Sequence, residues 1–132
     1  MNLVFLFLSV LFSCNKAPAQ TPELKESMAK GAAIYDDFCM SCHMPDGKGV
    51  PEVYPPLANS DYLMKKRHES IKAIKYGMSG EIIVNGITYN NAMAALGLSD
   101  DEVADVMNYI LNSWGNNDGN IVTLTEVSEI ER

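Results

Sequence analysis

Apolar residues are spaced differently along successive stretches of this chain, and each spacing predicts a different element. From Leu3 to Phe12 the run is continuous except for Ser9. That run is about half the ~20 residues a bilayer-spanning helix needs, so it predicts a secretory leader. Helical spacing then takes over: Leu24, Met28, Gly31/Ala32, Tyr35 and Phe38 make one apolar face. Thr21 is placed as its N-cap, with Pro22 in the first helical position and Glu23 in the first turn. Pro45 to Pro56 is rich in turn residues and predicts a loop. Asp61 to Arg67 and Glu69 to Tyr76 read as two helices, with Gly77 closing the second. Ile82 to Tyr89 reads as a short hairpin around Asn85-Gly86. Ser99 and Glu102 then form a capping-box pair, and Leu98 and Val103 a hydrophobic staple. They open a last core helix whose face is Val103, Val106, Met107, Ile110, Leu111 and Trp114. Val122, Thr123, Glu126 and Val127 repeat the cap-and-staple pattern, which predicts one more helical turn near the C-terminus. The class is all-α, with a short β-hairpin before the last core helix.

The chain has 132 residues, room for one compact domain and short extensions. Residues 1–13 read as a signal peptide, 14–21 as a tether, 22–115 as the domain and 116–132 as a C-terminal tail. Ten Lys and Arg stand against 17 Asp and Glu, a net charge of −7. Such a balance repels a phosphate backbone and argues against nucleic acid as a partner. Three cysteines cannot pair off completely, so a disulfide framework is not the first expectation. The leader ends Leu11-Phe12-Ser13-Cys14, which resembles the lipobox of bacterial lipoproteins, with Cys14 as the lipidated residue and membrane anchor. An ordinary secretory cut near Ala17 to Gln20 is the alternative.

Cys39-Met40-Ser41-Cys42-His43 carries the chemistry. In shuffles of this composition the pattern Cys-x-x-Cys-His arises about once in a thousand. Two thiols one helical turn apart can each add to a vinyl group of one porphyrin. The adjacent His43 is thereby set under the iron, where a neutral imidazole is a good ligand. A zinc site would need a further pair of ligands, and only Cys14 and His68 remain. A thioredoxin-like Cys-x-x-Cys would sit in a βαβ pattern, which this chain lacks.

With these residues the chain resembles the class I c-type cytochromes over about residues 22–132. Tyr54-Pro55-Pro56-Leu57-Ala58, Tyr89-Asn90-Asn91-Ala92-Met93, Leu98 to Val103 and Asn112-Ser113-Trp114-Gly115-Asn116 carry the rest of the likeness. The resemblance implies a cytochrome c fold of four to five helices around one covalently attached haem c. It also implies that Cys39 and Cys42 hold the haem and that the Pro55 carbonyl accepts from the His43 ring. The loop from Pro45 would then lie along the haem edge. First and last helices would cross, which gives Gly31 a reason to face Tyr109 or Ile110.

The sixth iron ligand should come from a loop after the mid-chain helices. Met40 and Met44 flank the attachment site, and Met28 and Met107 lie on core faces of helices. Met64, Met78 and Met93 remain, and Met93 sits between hairpin and last helix as in the family. Ala94 departs from the proline that relatives usually carry after the ligand methionine. Met78, beside Gly77 and Gly80, is the second choice, and His68 reads as a solvated helix residue. Lys65, Lys66, Arg67, Lys72 and Lys75 are either a solvated face or a docking patch for an acidic redox partner. The function implied is an exported, lipid-anchored electron carrier on the periplasmic side of a bacterial membrane, passing single electrons between redox proteins. The alternatives are a haem sensor or peroxidase-like enzyme with an open distal site, and a haem subunit fixed in a larger respiratory complex.

Overall fold

A computed structural model describes residues 20–132. The leader, the Cys14 lipobox and most of the tether lie outside the described residues. Six helices and one hairpin follow: α1 Pro22–Phe38, α2 Met40–His43, α3 Asp61–Lys65, α4 Arg67–Tyr76, β1 Ile82–Val84, β2 Ile87–Tyr89, α5 Asp100–Ile110 and α6 Leu124–Ser128. The expected class holds: a helical domain with one two-stranded antiparallel sheet, Ile82 facing Tyr89 and Val84 facing Ile87. Asn85 and Gly86 take the positive φ angles (51° and 78°) that the tight hairpin turn demands.

α1 opens as its sequence predicts, the Leu24 N–H donating to Thr21 Oγ1 at 3.2 Å. Its most extensive contact is with α5, and Gly31 lies at that crossing. A Cβ on Gly31 would overlap the Asp105 carbonyl and come within 2.8 Å of Tyr109 Cβ. The glycine is therefore needed for close backbone approach, against Asp105 and Tyr109 rather than Ile110. α5 begins with its capping box, the Glu102 carboxylate accepting from the Ser99 N–H at 2.9 Å and from Ser99 Oγ at 2.8 Å.

Three boundaries differ from the sequence reading. The break between α3 and α4 falls at Lys66 (φ −120°, ψ 56°), not at His68, and Arg67 starts α4. Trp114 is not on α5, which ends at Ile110. It sits beyond the helix at φ +52°, where its indole N–H donates to Pro45 O at 3.0 Å and its ring covers Gly47. There it packs against Tyr35 and Tyr109, with centroids 4.9 and 5.4 Å away.

Residues 116–132 are not a tail set apart from the domain. Val122, Val127 and Ile130 belong to the same buried cluster as Leu63, Ile71, Val103 and Leu111. Asparagines four residues apart hold the segment. Asn108, fully buried, accepts from the Val122 N–H at 2.7 Å and donates to Val122 O at 2.9 Å. Asn112 accepts from the Gly119 N–H, and Asn116 donates to both Leu57 O and Ile110 O. Buried backbone groups need partners, and these amides supply them where no helix or strand does. Arg67 completes the attachment, pairing with Glu126 at 2.7 Å and Asp118 at 2.7 Å and donating to Ile121 O.

Candidate functional site

Cys39 ends α1 and begins α2, its N–H still bonded to Tyr35 O. The next turn closes on the Cys39 carbonyl, which accepts from the Cys42 and His43 N–H groups at 3.2 and 2.9 Å. Met44 then leaves the helix at φ +65°. This single turn brings Cys39, Cys42 and His43 to the wall of one cavity. Cys39 is buried, Cys42 is half-buried, and no disulfide joins them.

His43 Nδ1 lies 2.9 Å from Pro55 O. A carbonyl only accepts, so Nδ1 carries the proton and Nε2 keeps its lone pair for a metal. Burial holds the His43 pKa below its ordinary value despite that bond, which keeps the ring neutral. Gly49 lets the loop approach, because a Cβ there would come within 2.6 Å of Pro55 O. The Pro55 contact expected from the resemblance is thus present.

The cavity encloses about 310 Å³. Leu63, Ile74, Val84, Val106 and Ile110 supply apolar walls, and among the described residues no Asp, Glu, Lys or Arg side chain lines it. An uncharged slot with an imidazole and two thiols on its wall fits a porphyrin whose iron needs an axial nitrogen and whose vinyl groups need sulfur. Among the described residues, no three His, Cys, Asp or Glu side chains are placed to hold one metal ion between them, as a zinc site would require.

Of the two methionines expected on core faces, Met28 is only half-buried. Met107 is fully buried in the core, and Met64 is exposed on α3 away from the cavity. Met93 lines the cavity and packs against the core cluster. Met78 lines the same cavity, paired with Met93 in an antiparallel bridge. Asn91 ties the Met93 loop to the loop after His43, its Nδ2 donating to Val53 O at 2.8 Å.

Other features had no clear signal in the sequence. Phe38, expected on a core face, is 47% exposed and stands at the cavity. Tyr54, Tyr62 and Tyr89 also line it. The basic run separates into two groups. Arg67 is spent on Glu126 and Asp118, and Lys75 pairs with Asp100 at 3.0 Å and donates to Val127 O at 2.8 Å. A five-residue docking patch is therefore not what the fold presents, since two of the five cations are fasteners.

The profile of the family described as Cytochrome c matches residues 28–114, which spans this cavity from α1 to Trp114. The chain belongs to the cytochrome c family. Two cytochromes c-552 from Thermus thermophilus are similar to it. One is 39% identical over 94 residues, covering 67% of this chain and 63% of its own length. The other is 40% identical over 92 residues, covering 66% of this chain and 70% of its own. The chain thus spans less than two thirds of the first. The cytochrome c subunit of a quinone alcohol dehydrogenase from Gluconobacter oxydans is 33% identical over 104 residues, 76% of this chain and 21% of that subunit. As a member of that family, the chain binds covalently attached haem c.

Proposed function

We propose that this cytochrome c is an exported carrier that passes single electrons between redox proteins at a bacterial membrane, with Cys39 and Cys42 as haem attachment sites and His43 and Met93 as axial ligands. The observation that carries the reading is the meeting of these four residues on one uncharged cavity, with the His43 ring oriented by Pro55. When bound, the haem supplies an iron that alternates between ferrous and ferric states. The chain's own residues set how that happens. Pro55 fixes the tautomer and makes Nε2 a stronger donor. A Met93 thioether serving with the His43 imidazole as iron ligands would favour ferrous iron and so a relatively high potential. The apolar walls exclude water, which limits reorganisation around the changing charge.

Leu3 to Phe12 and Cys14 support export and a lipid anchor. Likeness to dehydrogenase cytochrome subunits supports two readings of the partners: a free carrier that meets a dehydrogenase or reductase, or a haem subunit fixed in such a complex. Purification in the native state separates these, a free carrier eluting alone. The class itself is tested on the mature holoprotein. The reduced protein should show the sharp α and β bands of low-spin haem, keep its haem through acid-acetone extraction, undergo reversible one-electron reduction and resist carbon monoxide. Prompt carbon monoxide binding by the native ferrous protein would instead identify an open-site sensor or peroxidase-like enzyme.

A further inference from the structure

Two thioethers reach the haem cavity, although one axial position needs only one. The Met78 N–H donates to Met93 O at 2.8 Å, and the Met93 N–H donates to Met78 O at 2.8 Å. In a reciprocally bonded antiparallel pair the Cα atoms lie ~5.5 Å apart and the side chains leave the ladder on one side. Both side chains are half-buried and both line the cavity with His43. The remaining nitrogen and sulfur donors on that wall are Cys39, Cys42 and His43, apart from the Asn91 amide, which is spent on Val53 O. The phenols of Tyr54, Tyr62 and Tyr89 bind iron only after losing a proton. If Met93 leaves the iron, Met78 is the neutral soft donor within reach.

The two methionines are held differently. Met93 packs against the core cluster, and its carbonyl would lie 2.7 Å from a Cβ on Gly77. Its loop is also fastened through Asn91 to Val53. Met78 belongs to a turn bounded by Gly77 (φ +77°) and Gly80 (φ +97°), and a Cβ on Gly80 would meet nothing within 4 Å. The two segments share the tight contact at Gly77 and the reciprocal backbone pair, and the Met78 side is open only beyond them, at Gly80. Ala94 adds freedom on the Met93 side, because it leaves φ unrestrained where a proline would lock it.

We propose that Met78 is a reserve axial ligand, which binds the iron when Met93 dissociates; the inference rests on the reading of Met93 as the first ligand. The exchange would return sulfur to the iron after each loss of Met93, so an open coordination position would be short-lived and small molecules would have little time to bind. It also lets the Met93 loop fluctuate without turning a carrier into a ligand-binding haem protein.

The test compares holoproteins carrying Met93→Leu, Met78→Leu and both changes, since leucine preserves side-chain volume and the backbone pairing. The readouts are the far-red sulfur-to-iron charge-transfer band of the ferric protein and carbon monoxide binding by the ferrous protein. Met93→Leu is expected to keep a sulfur band at a shifted position and to resist carbon monoxide. Met78→Leu should keep the parent's sulfur band, because Met93 is still in place, but should bind carbon monoxide faster than the parent, because nothing replaces Met93 when it leaves. The double variant should lose the band and bind carbon monoxide promptly. A Met93→Leu protein as open as the double variant overturns the reserve ligand and leaves Met93 as the native one. Loss of the band in Met78→Leu, with Met93→Leu like the parent, overturns both readings and makes Met78 the first ligand. A band that survives in the double variant also overturns both.

Discussion

Preventing haem attachment is expected to unfold this domain rather than leave it intact around an empty slot. The perturbation is Cys39→Ala with Cys42→Ala, expressed without the haem-attachment machinery. The cavity of about 310 Å³ would then have no apolar filling. At about 24 cal/mol per Å³, a sealed apolar void of that size would cost about 7 kcal/mol, which is a ceiling here because the cavity is partly open to solvent. Whole domains of this size are stable by roughly 5–15 kcal/mol, so even part of that cost is a large fraction of the total. Flooding would recover little, because a trapped water needs two to four polar partners and the walls are mainly apolar. Local signals cannot compensate: the caps at Thr21, Ser60 and Thr123 and the Ser99–Glu102 box contribute about 1 kcal/mol each. Far-ultraviolet circular dichroism should show weak helicity, and urea should produce a gradual change without a cooperative transition. A sharp urea transition with a slope of about 1–3 kcal/mol per M would refute the reasoning. It would mean that α1 and α5 carry a core of their own.

Gly31→Ala should destabilise the holoprotein by about 2 kcal/mol, seen as a melting temperature lower by roughly 10 °C. Helix propensity favours the change by about 1 kcal/mol, but the added Cβ overlaps the Asp105 carbonyl, so equal or greater stability would contradict the tight α1–α5 crossing. Arg67→Gln should cost about 1–2 kcal/mol at neutral pH, measured by urea denaturation, by loosening residues 116–132. The hydrogen bond from Arg67 holds the Glu126 pKa below its ordinary value. A depressed carboxyl pKa contributes stability above the unfolded value, about 4.5, and loses it as the pH falls through the folded one. The gap between parent and Arg67→Gln should therefore narrow in acid, and a gap constant with pH would remove Glu126 from the account.

What the sequence determined by itself was much of what depends on near neighbours, although it misplaced the α3–α4 break and the end of α5. Cys39, Cys42 and His43 lie within one helical turn, so their chemistry was legible from five residues. Thr21 with Pro22, Ser99 with Glu102, and Asn85 with Gly86 act within four residues of chain, and each does what its local pattern predicted. Features that join distant segments became visible only in the fold. Asn91 reaches Val53 across 38 positions, whereas the His43–Pro55 contact, 12 positions apart, was foreseen only through the family resemblance. Arg67 looked like part of a surface charge run until Asp118 and Glu126 were brought to it. Asn108, Asn112 and Asn116 looked ordinary in a helix and beyond it, yet they satisfy the backbone of a segment that has little regular structure. Met78 and Met93 could be ranked from sequence as rivals, but only the bridge between them places both thioethers on one cavity. The division has a physical cause: caps and turns are decided by backbone groups a few bonds away, whereas burial and pairing depend on which surfaces the chain brings together when it collapses.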